Sequence, residues 1–103
     1  MSLHIQTPLA KSATISKRLG AEAWLKMEAL QPAASFKIRG LGLLAERLKA
    51  EGCRQLVSSS GGNAGLAAAH AGEALGLPVT VVVPSTTPPA MRSKIEARGR
   101  WRR

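Results

Sequence analysis

Val79-Thr80-Val81-Val82-Val83 is an unbroken β-branched run, entered through Pro78 and left through Pro84. A run without polar alternation has no side to turn to water, so it predicts a parallel strand buried on both faces. Parallel neighbours need crossover connections, usually helical, and the flanking sequence supplies them. Asn63–Leu75 is rich in alanine, apolar on most sides and closed by Gly76, which predicts a buried helix whose small side chains let backbones approach closely. From 36 to 50, Ile38, Leu41, Leu43, Leu44 and Leu48 fall on helical spacing, with Lys37, Arg39, Glu46, Arg47 and Lys49 outside and Gly52 ending the helix. Residues 55–58 and 23–27 predict two more short strands, and Pro88-Pro89 opens a last helix. Alternating strand and helix over 103 residues implies one α/β domain, a three-layer parallel sheet with covering helices. With aromatics at 3% and no tyrosine, its core must be aliphatic.

The charge balance narrows the function classes. The net charge is +9, but Arg92, Lys94, Arg98, Arg100, Arg102 and Arg103 crowd the last dozen residues, and the other cations are spaced along helical faces. With only Trp24, Phe36 and Trp101 as aromatics there is no platform for stacking bases, so nucleic acid is not an expected partner. Cys53 is the single cysteine, which excludes an internal disulfide and fits a reducing compartment. It has no neighbouring ligands, so no metal is expected. No signal peptide is evident and no run of about 18 apolar residues occurs, so a cytoplasmic protein without membrane contact is expected.

Three segments carry the candidate chemistry: Gln31-Pro32-Ala33-Ala34-Ser35-Phe36-Lys37-Ile38-Arg39-Gly40, Ser58-Ser59-Ser60-Gly61-Gly62-Asn63-Ala64-Gly65 and Val83-Pro84-Ser85-Thr86-Thr87-Pro88. Ser35 is suited to cap the helix that follows, which puts Lys37 in its first turn. A helix N-terminus repels cations, so a lysine there is electrostatically unusual, and an amine must be deprotonated to attack a carbonyl. On residue type alone Lys37 reads as a solvated surface lysine. The second segment is a glycine-rich turn before a helix; it holds a phosphate or a carboxylate on free N–H groups and serine hydroxyls, or is a plain turn with serine caps. Gly40-Leu41-Gly42-Leu43-Leu44-Ala45 matches the spacing of a dinucleotide fingerprint, but it lies inside a helical pattern and is rejected.

The ordered set of motifs resembles the serine/threonine dehydratases, in the L-serine dehydratase and serine dehydratase-like branch of pyridoxal-phosphate (PLP) enzymes with the tryptophan synthase β-like fold. Ser35-Phe36-Lys37-Ile38-Arg39-Gly40 is similar to the family's cofactor-lysine motif and Ser59-Ser60-Gly61-Gly62-Asn63-Ala64-Gly65 to its substrate-carboxylate loop. Leu3-His4-Ile5-Gln6-Thr7-Pro8-Leu9, Leu25-Lys26-Met27-Glu28 and the stretch 79–88 match as well, so the likeness runs from about 3 to 96. It implies that Lys37 carries PLP covalently and later takes the substrate α-proton, that Phe36 packs on the pyridine ring, and that Asn63 bonds the ring's phenolic oxygen. It implies that Ser60, with the N–H groups of Gly61, Gly62, Asn63 and Ala64, holds the carboxylate of serine or threonine, giving a 2-oxo acid and ammonia. Full-length relatives are expected to be homodimers. The rivals are another β-elimination or racemisation enzyme of this fold, and a non-catalytic remnant.

Ala33-Ala34 stands where the family has a Ser/Gly pair, a change a turn tolerates. The family's downstream loop for the PLP phosphate and its partner for the pyridine nitrogen have no counterpart in these residues. On this reading 1–96 is the N-terminal portion of a dehydratase, and 97–103 is an aberrant basic tail of the kind a frameshift or truncation leaves. No further strand is expected there, and the 103 residues alone are expected to be inactive.

Overall fold

The computed structural model describes residues 2–98 and the backbone of 100–102; Met1, Gly99 and Arg103 lie outside the described residues. The elements in order are β1 (Leu9–Lys11), α1 (Ala13–Leu19), β2 (Trp24–Lys26), α2 (Lys37–Ala50), β3 (Leu56–Ser58), α3 (Asn63–Leu75), β4 (Val79–Val82), α4 (Pro89–Glu96) and β5 (Arg100–Arg102). β1 and β2 form a small antiparallel sheet. β3, β4 and β5 form a parallel one in that order, with Leu56 opposite Val79 and Thr80 opposite Arg100.

The helices expected around 36–50, Asn63–Leu75 and Pro88-Pro89 are present, and their ends follow local chemistry. At the end of α2 the Gly52 N–H bonds Lys49 O at 3.0 Å and the Cys53 N–H bonds Leu48 O at 2.9 Å. Gly52 makes this possible by taking φ 95°, a left-handed conformation that suits glycine. The dinucleotide-like Gly40-Leu41-Gly42 lies within α2. A Cβ on Gly42 would come 3.1 Å from the Leu3 Cβ, so this glycine leaves room for the N-terminal arm.

The close approach expected of α3 is also found. A Cβ on Gly65 would collide with the Ser60 carbonyl, and one on Gly72 with the Val79 side chain. Val79, Val81 and Leu56 face α3, and Ile38 of α2 and Ile95 of α4 join the same core.

Three expectations are corrected. β4 is not buried on both faces: Val79 and Val81 are buried, while Val82 is 38% exposed and Val57 of β3 is 70% exposed. The described residues therefore supply the sheet and the helices of one face, two of the three layers. A strand does follow α4: residues 100–102 pair in parallel with β4, because backbone pairing along that edge requires no particular side chain. Ser35 does not cap α2: Phe36 occupies the cap position with helical backbone and no side-chain cap bond. The strand expected at 23–27 is present as β2, whereas its antiparallel partner β1 and α1, capped by Ser12 on the Ile15 N–H, lie in a stretch for which no secondary structure was expected.

Candidate active site

The parallel sheet fixes where the helix ends fall. α2 leads directly into β3 and α3 leads out of it, so both helices begin at the edge where the parallel strands end. At the opposite end Lys49, one residue from the end of α2, donates from Nζ to the Leu75 carbonyl that closes α3, at 2.6 Å. With their C-termini joined and lengths of 14 and 13 residues, the two helices run side by side and begin at the same edge. Lys37 is the first residue of α2 and Asn63 the first of α3. The topology thus brings the two candidate segments to one edge of the sheet.

The third segment lies against the second. A Cβ on Gly61 would sit 2.5 Å from Thr87 Oγ1 and 3.1 Å from Pro84 Cδ. Glycine at 61 is therefore needed for this contact, independently of any ligand.

Within the glycine-rich turn, the Gly62 N–H donates to Ser60 Oγ at 3.2 Å. The serine hydroxyl closes the turn and keeps its own proton to donate elsewhere. Of the two readings open for this turn, serine capping of the helix is not found: Gly62 is the cap residue, with no side-chain cap bond. The N–H groups of Gly61, Asn63 and Ala64 have no acceptor among the described residues, the condition for binding an anion at a helix start.

Lys37 is exposed, and its Nζ stands 5.0 Å from the centroid of the exposed Phe36 ring. It has no hydrogen-bond acceptor among the described residues. Two other lysines, Lys26 and Lys49, are engaged. Lys26 Nζ donates to Thr7 O at 2.6 Å, and Lys49 to Leu75 O. Lys49 was expected simply in solvent; it remains exposed, but it ties α2 to α3.

The turn before Lys37 has two unusual features. Ala34 takes φ 60°, which L-residues with a Cβ seldom adopt. Ser35 is 7% exposed and its hydroxyl has no partner, a costly state for a buried polar group. A primary amine without a hydrogen-bond acceptor, an exposed aromatic side chain, an unsatisfied buried hydroxyl and unpaired N–H groups together fit an anionic aldehyde cofactor and a carboxylate substrate.

A polar cluster behind the turn escaped the sequence reading. Gln31 and Thr7 are 3% and 4% exposed. Gln31 exchanges hydrogen bonds with the Ile5 backbone, accepting at 2.9 Å and donating at 2.8 Å. Both also donate to Glu28 Oε2, Thr7 at 2.8 Å and Gln31 at 2.9 Å. Arg39 completes the cluster, its Nε on Glu28 Oε1 and its Nη2 on Oε2 at 3.3 Å. The Arg39 hydrogen bond, then that from Gln31, hold the Glu28 carboxyl down to about 2. One signal could have exposed the cluster: Glu28 is the sole acid between Glu22 and Glu46, and Arg39 is a second cation in a helix's first turn.

Among the described residues no group of three or more His, Cys, Asp or Glu could hold a metal, and no helix is long and apolar enough to cross a membrane.

A parallel α/β sheet whose polar groups gather beyond the carboxyl ends of its strands has the usual placement of a ligand site in this class. The chain belongs to the pyridoxal-phosphate dependent enzyme family, whose model matches residues 1–100. It is 48% identical over 98 residues to the L-serine dehydratase/L-threonine deaminase of Mus musculus, covering 95% of this chain and 30% of that protein. It is 45% identical over 96 residues to the serine dehydratase-like protein of Homo sapiens, covering 93% and 29%. Among solved structures, a fungal L-serine ammonia-lyase from Rhizomucor miehei matches with TM-score 0.84 and 30% identity, over 98% of this chain and 33% of that one. Maize serine racemase matches with TM-score 0.85 and 28% identity, over 95% and 31%. The fold is therefore part of the tryptophan synthase β-like PLP architecture, and the chain spans about 30% of the length of the curated relatives it matches.

Proposed function

We propose that this chain is the cofactor-lysine segment of an L-serine/L-threonine ammonia-lyase dependent on pyridoxal 5'-phosphate. The observation that carries the reading is the Lys37 amine, over the Phe36 ring and without a hydrogen-bond acceptor among the described residues, on the edge where Gly61, Asn63 and Ala64 present unpaired N–H groups. In this reading Lys37 holds PLP through its Nζ, Phe36 lies against the ring and Asn63 bonds it. When bound, the cofactor supplies an electron sink for the pair left by removal of a substrate α-proton.

The chain's own residues do the rest. The Ser60 hydroxyl donates to the substrate carboxylate, and the N–H groups of Gly61, Asn63 and Ala64 complete its cradle. The Gly62 N–H, already given to Ser60, shapes the turn. With the carboxylate fixed, the α-carbon is oriented and Lys37 Nζ takes its proton as general base. Loss of the β-hydroxyl and hydrolysis then give a 2-oxo acid and ammonia.

Racemisation is the second reading, favoured by the likeness to maize serine racemase; in the whole protein it would yield D-serine where the lyase yields pyruvate. Homodimerisation and a cytoplasmic location remain part of the proposal, as does the assignment of 97–103 as a tail distinct from 1–96. The 103 residues alone are proposed to be inactive.

The test is chemical labelling. After incubation with PLP and borohydride reduction, peptide mapping is expected to place the label on Lys37. Label spread evenly over Lys26, Lys49 and Lys94 would overturn the assignment.

A further inference from the structure

We infer that Glu28 is a positioning residue for Lys37: its carboxylate clasps both ends of the turn that carries the lysine, Gln31 at the entrance and Arg39 at the exit. This deepens, and rests on, the reading of Lys37 as the cofactor lysine. Residues 32–38 lie between the two clasped positions; Ala33 and Ile38 reach the core, but the side chains between them do little to hold the turn. Ser35 has no partner, Phe36 is exposed, and the Lys37 amine bonds nothing among the described residues. Ala34 adds a φ of 60°, a conformation that persists only where the surroundings impose it.

What imposes it is the ends. Gln31, buried, bonds Glu28 and both backbone groups of Ile5, so it cannot shift without unpairing them. Arg39, two residues beyond Lys37, grips the same carboxylate with two of its nitrogens. A bidentate arginine pair fixes direction as well as distance. Ile38, Gly42 and Ala45 are buried and set how α2 lies on the core; the Arg39–Glu28 pair holds the helix start, where Lys37 sits, against the turn that precedes it. The clasp also settles an electrostatic conflict. Lys37 and Arg39 place two cations in the first turn of a helix, where the backbone dipole disfavours them. Glu28 is the carboxylate that faces this turn, while Thr7 ties the N-terminal arm to the same oxygen.

The test is hydrogen exchange on the full chain, in wild type, Glu28→Gln, Arg39→Lys and Thr7→Val, with PLP labelling of each in parallel. Glu28→Gln is expected to speed exchange across 32–40 by about tenfold or more while leaving 63–75 unchanged, because only a local opening is released. The share of borohydride-fixed PLP on Lys37 should fall relative to Lys94. Thr7→Val should speed exchange at 5–9 and leave 32–40 as it was. Should Glu28→Gln fail to fold, Arg39→Lys supplies the comparison, since an ammonium retains the charge but loses the fork. Unchanged exchange at 32–40, or a parallel rise at 32–40 and 63–75, overturns the clasp. If wild-type Lys37 shows no preference for PLP while exchange at 32–40 responds to Glu28→Gln, the clasp stands and the cofactor reading falls.

Discussion

Ala34 is where a single atom decides a local energy. The resemblance placed a Ser/Gly pair before Ser35, and the alanine found there looked harmless in a turn. The structure gives it φ 60°, where a Cβ crowds the adjoining carbonyl and glycine does not. Ala34→Gly is therefore expected to stabilise the chain by about 1 kcal/mol, the relief of strain exceeding the extra freedom glycine gains when unfolded. Thermal unfolding should show the midpoint rising by roughly 4–8 °C for a domain of this size. Glu28 gives a second expectation at this scale. Its carboxyl is held at about 2, below the ordinary 4.5, mainly by the Arg39 hydrogen bond and then by Gln31. A depressed carboxyl stabilises the fold fully above its unfolded value and loses that contribution as pH falls through its folded one. Stability should thus decline between about pH 4.5 and 2, and a pH series of unfolding midpoints should show a shallower decline in Glu28→Gln. An equal slope in both proteins would remove Glu28 from the acid response.

Among the elements, legibility followed the source of the structural information. α3 was readable because its alanines, its terminal Gly76 and the following β-branched run all point one way, and its bounds match Asn63–Leu75. α1 was not: seven residues with no buried side chain leave little periodicity, and its cap, Ser12, is one of two serines in the stretch. β1 and β2 are three residues each and exposed throughout; β2 was readable from the polar alternation of 23–27, whereas β1 shows no such pattern and is defined by its pairing with β2. The candidate site divides in the same way. Lys37, Ser60 and Asn63 were found because motifs mark them, whereas the Thr7–Glu28–Gln31–Arg39 cluster joins residues up to 32 apart in the chain, which no local pattern reports. Packing between elements makes its own prediction. Gly72→Ala puts a methyl into Val79 and should cost about 1–3 kcal/mol as overpacking. Gly40→Ala meets nothing within 4 Å and sits inside a helix, so it should stabilise by about 0.5–1 kcal/mol. Chemical unfolding of the two variants should move in opposite directions.

At the scale of the whole molecule the two faces of the parallel sheet differ, and the valine run does not reveal it. A β-branched run without polar alternation suits a strand covered on both sides, yet Val79 and Val81 are buried while Val82 and Val57 look outward. The helices α2, α3 and α4 share one core, built on Ile38, Val81 and Ile95. The opposite side of the sheet presents Val57 and Val82 to solvent. Valine-to-threonine substitutions separate the faces cleanly, because threonine keeps the β-branch and strand preference while replacing a methyl with a hydroxyl. At Val81, fully buried, the hydroxyl would lose water without gaining a partner, and Val81→Thr should cost about 1–3 kcal/mol. At Val57, 70% exposed, it would stay hydrated, and Val57→Thr should change stability by less than about 0.5 kcal/mol. Denaturant midpoints of the two variants at equal chain concentration provide the measurement. Equal losses at the two positions would mean that in solution the outer face is covered as completely as the inner one.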